Sequence, residues 1–157
     1  MALQDLEEVK RHADRFRSAA GKAAIPPALL AAIASRESRC GRVLEGDWGD
    51  RHRAFGVLQV DKRYHEIRGL GDAFSVEHLE QGAAILNENM VAINKKFPNW
   101  EKTYRLMAAV AAYNFGTGNV RTKEGINRGT TGDDYGADVI ARAQFYHRHE
   151  DLEIFRT

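Results

Sequence analysis

Four carboxylates in the early part of the chain are spaced so that a folded loop could bring them together. Glu37 follows the apolar run "ALLAAIA" within the helix-like stretch "IPPALLAAIASRES", and Asp47, Asp50 and Asp61 follow it by 10, 13 and 24 positions. Hydrolysis of a glycosidic bond needs two carboxyl groups with different tasks: one is protonated and donates to the leaving oxygen, and one is ionised and activates water. If the loop folds back over the end of the helix, these residues can supply both tasks.

Glu37 is the carboxyl best suited to remain protonated. It follows Ala31, Ile33 and Ala34 and lies near the negative C-terminal end of the predicted helix, and an apolar setting and a nearby negative charge both raise a carboxyl pKa. Carboxylates in loops are also commonly solvated and have no chemical role. Spacing alone therefore does not decide between a catalytic pair and a charged surface, and we interpret Asp47 as a solvated loop residue.

Apolar spacing and helix-breaking residues define the first half of the fold. Helical spacing of apolar residues from Leu6 to Ala20 predicts a first helix that ends near Gly21. The second helix is predicted to begin at the prolines of "IPPALLAAIASRES" and to stop at Gly41. Residues 41–74 are rich in glycine and aspartate, with β-prone pieces around Phe55 to Val60, which indicates a loop-rich region with a small sheet.

The second half of the chain predicts three more helices. Ser75 is a good N-cap for a long helix through about Lys96, and "KTYRLMAAVAAY" is apolar on nearly all sides, which predicts a central buried helix. Asp133 is predicted to cap the last helix, "DYGADVIARAQFYHRH". We therefore expect one domain over residues 1–157 of the α+β class, mainly α, with a small β-sheet inserted after the helix that carries Glu37.

The composition limits the classes of function. The chain has 157 residues, of which 43% are hydrophobic and 29% charged, as in an ordinary globular domain. Lys+Arg 23 against Asp+Glu 22 argues against bulk affinity for nucleic acid, but a local basic patch remains possible. Cys40 is the single cysteine in the sequence, so no intramolecular disulfide is expected. We recognise neither a signal peptide nor a membrane span.

Five stretches that occur in a fixed order resemble the goose-type lysozymes. They are "SRES" at 35–38, "WGDR" at 48–51, "FGVLQVDKR" at 55–63, "AAYNFGTGNVR" at 111–121 and "DDYGADVIARAQFY" at 133–146. The resemblance covers roughly residue 5 to residue 148. It implies a lysozyme-like fold and antibacterial cleavage of the β-1,4 bond between N-acetylmuramic acid and N-acetylglucosamine in bacterial peptidoglycan.

The resemblance also implies roles for individual residues. Glu37 matches the general acid of the family, and Asp50 and Asp61 match the residues thought to position and activate the attacking water. Because the family is similar to inverting glycosidases, we expect about 6.5–9.5 Å between the acid and the base. The substrate-binding positions implied by the resemblance are Gln59, Tyr113, Asn114, His65 and Tyr135. Tyr113 could also be a core residue of its apolar helix.

Two other functions remain open at this point. A lytic transglycosylase shares the glutamate-serine, "GxxQ" and "AYNxG" pattern, and it closes the muramic acid on itself to a 1,6-anhydro product without an attacking water. A wall-binding protein without catalysis is expected to lack Glu37 or both aspartates, and the sequence retains all three.

The resemblance also sets the expected partners and location. Acid, base and water suffice for the reaction, so we expect no metal and no organic cofactor. The expected partner is peptidoglycan, with no nucleic-acid or membrane partner, and the expected state is a monomer. The family implies an extracellular location, which the sequence itself leaves unknown.

Overall fold

Six α-helices, two short 3-10 helices and three short strands lie in residues 1–149, the part of the chain that the structure, a computed structural model, describes. The α-helices are α1 Leu6–Arg11, α2 Ala13–Lys22, α3 Pro27–Ser38, α4 Val76–Lys96, α5 Lys102–Phe115 and α6 Tyr135–Arg148. The strands are β1 Trp48–Gly49, β2 Ala54–Phe55 and β3 Val60–Asp61, and all three lie between α3 and α4. This arrangement confirms the predicted mainly helical α+β fold with a small sheet after the helix that carries Glu37.

The sheet is antiparallel, with strand order β1-β2-β3. Its paired residues are Trp48 with Phe55 and Gly49 with Ala54 between the first two strands, and Ala54 with Asp61 and Phe55 with Val60 between the last two. Side chains directly opposite each other in a sheet point to the same face, and successive residues alternate between faces. Gly49, Ala54 and Asp61 therefore share one face, and Trp48, Phe55 and Val60 share the other.

The helix that carries Glu37 is the most fully buried element. Nine of the 12 residues of α3 are buried, and the helix packs between α6 and α2. The predicted central helix, α5, is buried from Ala108 to Ala112, whereas its first turn at 102–104 is exposed. The core thus centres on α3 because its alanine, leucine and isoleucine side chains allow close packing on every side.

Two predicted helix boundaries were wrong. The single first helix is broken at His12, whose ring stacks on Phe74 with centroids 3.7 Å apart, so α1 and α2 are separate. The second helix ends at Ser38, before the predicted stop at Gly41, and Arg39 at its C-cap adopts the left-handed conformation. An arginine accepts this conformation because its guanidinium is held by the buried carboxylate of Asp5.

The predicted caps of the later helices had different outcomes. Ser75 caps α4 as expected, since its hydroxyl accepts a hydrogen bond from the backbone N–H of His78. The prediction for Asp133 was wrong, because α6 begins after Asp134, and the carboxylate of Asp133 accepts a hydrogen bond from the backbone N–H of Gly129. Local cap signals therefore located the helix starts to within about a residue or two.

The helices also bear on membrane association. Among residues 1–149 no single helix is long and apolar enough to cross a membrane. Helices α2 and α3 meet the length and composition criteria only when taken together, and they are bent by 115° relative to each other. The C-terminal stretch "EDLEIFRT" lies outside the described residues.

Candidate active site

A cleft of about 810 Å³ lies between the end of α3, the small sheet and α5. Its lining includes Glu37 from α3, Asp50, Gln59 and Asp61 from the sheet region, His65, and Tyr113 and Asn114 from α5. The structure thus brings together seven of the eight residues predicted for the site. A cleft of this volume with several polar groups directed into it is typical of a substrate-binding site.

Glu37 combines partial access to the cleft with a protein environment that disfavours its charge. Burial raises its pKa to about 7, while the hydroxyl of Tyr135 and the charge of Arg36 act in the opposite direction. Tyr135 donates a hydrogen bond to Glu37 Oε1 over 2.7 Å. The raised pKa agrees with the expectation from its position after an apolar helix. Near neutral pH, a substantial fraction of Glu37 is protonated and able to donate a proton.

Tyr135 lies behind Glu37 and not on the surface of the cleft, which differs from the sugar contact that the sequence predicted. The residue is 1% exposed and begins α6. Burial, with the charge of Glu37 adding to it, raises the pKa of the phenol well above its usual value, so the hydroxyl remains a donor. Tyr135 can therefore act on substrate only through the position and charge of Glu37.

Asp61 is held in the cleft by Arg63. The guanidinium donates from Nε to Oδ1 over 3.0 Å and from Nη2 to Oδ2 over 2.6 Å, and the backbone N–H of Arg63 donates to Oδ1 over 2.8 Å. These contacts, led by the side-chain hydrogen bond, lower the pKa of Asp61. Asp61 is therefore ionised throughout the neutral range and fixed in orientation.

Asp50 differs from Asp61 in that its carboxylate is exposed and accepts no hydrogen bond from the described residues. It lies in the turn between β1 and β2, in the left-handed region at φ 48°. The charge of Asp50 contributes, after Asp61 and Tyr64, to raising the pKa of Arg63, so both carboxylates act on the same guanidinium. The separations between Glu37 and these two carboxylates stay predictions.

Gln59 is fixed by contacts with its own loop. Its amide nitrogen donates to the backbone carbonyl of Gly56 over 2.9 Å and to that of Ala54 over 3.3 Å. A Cβ at Gly49 would lie 2.4 Å from the amide oxygen, so a larger residue on β1 would force the amide of Gln59 to move. The amide oxygen of Gln59 is then the group available to accept a hydrogen bond from substrate.

Three side chains from three helices hold the loop at 56–59, which precedes β3. Ser38 on α3 donates to the carbonyl of Val57 over 2.8 Å, and Tyr113 on α5 donates to the carbonyl of Leu58 over 2.7 Å. His78 on α4 accepts the backbone N–H of Leu58 at Nε2 over 3.0 Å. The phenol of Tyr113 is thus already bonded to the protein, although its residue lines the cleft.

His78 is a neutral, buried part of this support. Its side chain is fully buried, and burial lowers its pKa to about 4. The ring lies against Gly56, where an added Cβ would be 2.3 Å from Nε2, and it meets Phe55 edge-on with centroids 5.2 Å apart. Because Nε2 must be unprotonated to accept the Leu58 N–H, the loop depends on the neutral form of His78.

Replacing His78 by leucine is expected to lower Tm by several degrees, because the buried N–H of Leu58 loses its acceptor at a cost of about 1–3 kcal/mol. The variant His78→Gln keeps an acceptor and should lose less. The native protein should also lose stability relative to His78→Gln as pH falls from 6.5 towards 4, because the unfolded histidine gains a proton that the folded one resists. Calorimetry across this pH range measures both effects.

The opposite pH dependence of Glu37 is present in both proteins and cancels in the comparison between native protein and His78→Gln. An equal Tm for the leucine and glutamine variants at every pH would show that the acceptor at this position contributes nothing to the loop.

Asn114 and His65 both line the cleft. Asn114 donates to the hydroxyl of Thr131 over 3.1 Å and accepts the backbone N–H of the same threonine over 3.0 Å, which joins α5 to the turn before α6. His65 is half-buried and donates from its backbone N–H to the carbonyl of Asp61. Both residues lie where the sequence predicted them, and their contact with sugar stays a prediction.

Several residues of the site were not identified from the sequence. Arg63 and Tyr64 line the cleft after Asp61, and Tyr64 is 76% exposed. The position of Arg63, two residues after a candidate base, was a usable signal. His78 offered none, because it lies 20 residues from Leu58 in sequence and meets it only through the fold. Trp48 does not line the cleft and packs on Phe55 on the other side of the sheet.

The histidine, cysteine, aspartate and glutamate side chains of residues 1–149 bear on metal binding. This part of the chain contains no group of three or more histidine, cysteine, aspartate or glutamate side chains placed to hold a metal ion.

Comparison with known proteins covers nearly the whole chain. The sequence model of the lysozyme g family matches residues 1–150. Lysozyme g of Struthio camelus is 43% identical over 149 residues, which are 95% of this chain and 72% of that protein. Lysozyme g of Gallus gallus is 41% identical over 95% of this chain and 70% of its own length. Lysozyme g of Epinephelus coioides is 43% identical over 93% and 79%. The similarity thus includes every residue that lines the cleft.

Proposed function

Since the chain belongs to the lysozyme g family and is a lysozyme-type glycoside hydrolase of peptidoglycan, we propose that it cleaves the β-1,4 bond between N-acetylmuramic acid and N-acetylglucosamine in one inverting displacement. The observation that carries the proposal is the pairing of Glu37, whose pKa is raised to about 7, with two aspartates in one cleft. Hydrolysis requires one protonated carboxyl group and one ionised carboxylate. The cleft supplies Glu37 for the first task and the two aspartates for the second.

In the proposed step, the protonated carboxyl of Glu37 donates its proton to the glycosidic oxygen as the bond from that oxygen to C1 breaks. A water molecule attacks C1 from the opposite face of the sugar and gives its proton to an aspartate. The products are a new hydroxyl on the leaving sugar and a hydroxyl of inverted configuration on the muramic acid. Glu37 leaves the step ionised and the aspartate leaves it protonated, so the resting state returns when a proton passes between them through solvent.

The two aspartates are suited to different parts of this step. Asp61 is fixed by Arg63 and has a lowered pKa, so it can orient the water and stabilise positive charge that develops at C1. Asp50 is exposed and accepts no hydrogen bond from the described residues, so it is free to accept a proton. We therefore assign orientation of the water mainly to Asp61 and acceptance of its proton mainly to Asp50.

The remaining residues of the cleft are assigned to binding and positioning. Gln59 offers an amide oxygen and His65 an imidazole to sugar hydroxyl and N-acetyl groups. Tyr113 and Asn114 line the cleft but direct their polar groups to Leu58 and Thr131, so they act mainly by shaping the wall. Tyr135 acts through Glu37.

A lytic transglycosylase would use the same acid without a water, and the two aspartates in the cleft favour hydrolysis over that reaction. Mass spectrometry of fragments released from purified peptidoglycan separates the two, because hydrolysis leaves a reducing muramic acid and transglycosylation leaves a 1,6-anhydro end. The proposal predicts reducing ends. Anhydro ends as the main product would replace it with a transglycosylase, and binding to walls without any release would favour a non-enzyme.

Replacing Arg63 by glutamine is expected to move the acid side of the pH–activity profile to higher pH. The guanidinium holds the pKa of Asp61 below its ordinary value, so its removal lets Asp61 gain a proton, and lose its function, at a higher pH than in the native protein. The measurement is kcat/KM on a soluble peptidoglycan oligosaccharide as a function of pH.

The matched control for this change is Arg68→Gln, which removes an exposed arginine that forms no ion pair with the described residues. The acid side of the pH–activity profile of this control should coincide with that of the native protein. If Arg63→Gln also leaves the acid side in place, ionised Asp61 is not needed for the reaction.

A further inference from the structure

A cluster of cations lies on the small sheet, outside the cleft. We define the basic face as Arg51, His52, Arg53 and Lys62 together with Trp48, and none of these five lines the cleft. Arg51, Arg53 and Lys62 are exposed, and none forms an ion pair with residues 1–149. Residues 51–62 contain these three cations and one carboxylate, Asp61, which is paired with Arg63, and Asp50, which precedes them, lines the cleft.

The backbone places two of these cations directly opposite each other. The N–H of Lys62 donates to the carbonyl of Arg53 over 2.9 Å, which extends the β2–β3 ladder by one residue beyond Ala54 and Asp61. Residues opposite each other share a face, and like charges in such a pair are destabilising. By the alternation of the strands, Asp61 points to the cleft and Lys62 to the other side.

The indole of Trp48 supports the cluster. Its ring is stacked on His52, with centroids 4.3 Å apart, and Lys62 Nζ lies 5.3 Å from the centre of the indole. The indole thus contacts both a histidine and a lysine of the basic face. His52 and Lys62 are therefore partly ordered before any ligand binds, which lowers the entropic cost of binding an anion.

The turn that carries the cluster also adopts an unfavourable backbone conformation. Arg51 has φ 56° and His52 has φ 66°, both in the left-handed region where residues with a side chain pay a steric penalty. Glycine or asparagine would suit these positions better for folding alone. The conformational cost thus falls on Arg51 and His52, and the cost of a like-charge pair falls on Arg53 and Lys62.

From this arrangement we propose that the basic face binds the phosphodiester groups of anionic polymers attached to bacterial walls, and so holds the enzyme on its solid substrate. Guanidinium groups pair with phosphate through two parallel hydrogen bonds, and lysine adds a point charge. None of the residues of the basic face lines the cleft, so a bound polymer leaves the cleft free for the glycan. This inference rests on the proposed action on peptidoglycan.

The test compares two triple variants of equal charge. One carries Arg51→Gln, Arg53→Gln and Lys62→Gln, and the matched control carries Lys95→Gln, Arg121→Gln and Arg128→Gln. The control replaces exposed cations that form no ion pairs with residues 1–149 and lie away from the sheet. Binding is measured by co-sedimentation with insoluble walls that carry a glycerol-phosphate polymer, in a Glu37→Gln background so that the walls are not digested.

The expected result is a Kd that rises about ten-fold or more for the basic-face variant and little for the control. Walls stripped of the polymer with hydrofluoric acid should bind the parent and the basic-face variant equally. An unchanged Kd, an equal loss in the control, or an equal loss on stripped walls would each overturn the proposal. The last of these outcomes would show contact with the peptidoglycan itself.

Activity on a soluble peptidoglycan oligosaccharide separates this inference from the proposed function. The basic-face variant with native Glu37 should cleave the oligosaccharide at the native rate, because its changes lie outside the cleft. If the native protein itself fails to cleave, the proposed function is wrong whatever the binding data show.

Discussion

The variant Glu37→Gln is expected to lose about 10²- to 10⁴-fold in the rate at which reducing ends are released from purified peptidoglycan, because glutamine keeps the shape of the side chain and removes its proton. The native rate should also fall as pH rises through about 7, where Glu37 loses the proton that it donates. Single-turnover measurements on soluble oligosaccharide test both expectations without interference from binding to the wall.

The same substitution is expected to stabilise the protein at neutral pH. The pKa of Glu37 is raised in the folded state, so the native protein loses stability as pH rises from about 4.5 to about 7, and an uncharged glutamine avoids that loss. The gain is of the order of 2–3 kcal/mol at most. A less active but more stable protein is the signature of a carboxyl held in an unfavourable place for function.

The control is Glu88→Gln, since Glu88 also lines the cleft but is exposed. This variant should keep both the native rate and the native Tm. If the two glutamine variants lose activity equally, the loss reflects the charge of the cleft and not proton donation by Glu37.

The largest expected effect on stability comes from Asp5→Ala. Asp5 is fully buried and accepts hydrogen bonds from Ser35 over 2.6 Å and from Arg39 over 3.0 Å, and Arg42 lies 2.7 Å away. Breaking a buried ion pair leaves its cations without a partner and costs about 3–5 kcal/mol. For a chain of this length, Tm should fall by about 10 °C or more, as measured by calorimetry.

Asp14→Ala is the matched surface control. Asp14 pairs with Arg17 over 2.6 Å, but its side chain is 90% exposed, so its loss should lower Tm by no more than a few degrees. Equal falls in Tm for the two alanine variants would show that the buried pair contributes no more than a surface pair.

Asp5 also connects the N-terminal segment to the helix that carries Glu37. Ser35 accepts a hydrogen bond from Arg142 over 2.8 Å, and Arg142 pairs with Asp138, which in turn pairs with Arg36 over 2.7 Å. The network thus joins the start of the chain, α3 and α6, and it ends beside Glu37. We therefore expect Asp5→Ala to lower activity near its own Tm before the protein unfolds, through loosening of the last turn of α3.

Local signals explain how much of the fold was predictable. Ser75 marked the start of α4, the prolines at 26 and 27 marked the start of α3, and the glycine-rich stretch at 41–74 marked the region of the sheet. The break at His12 and the left-handed Arg39 were not predictable, because contacts with Phe74 and Asp5, which are remote in sequence, determine them.

The site, like the fold, was predictable only in part. The spacing of the carboxylates and the resemblance to goose-type lysozymes together named seven side chains that line one cleft, but not the direction of their polar groups. The hydroxyl of Tyr113 is bonded to Leu58 and that of Tyr135 to Glu37, and both contacts depend on how α5 and α6 pack against the sheet and α3. The support from His78 is likewise a property of the fold and not of any local pattern.

The most direct test of the proposed mechanism is the configuration of the freshly released reducing end, observed by proton NMR during the first turnovers on a soluble peptidoglycan oligosaccharide. A single displacement by water at a β-linked muramic acid predicts the α-anomer first, followed by slow mutarotation to the mixture. The β-anomer first would indicate a covalent intermediate, and an anhydro end would indicate no attacking water. Either result would contradict an acid at Glu37 working with a water positioned by Asp50 and Asp61.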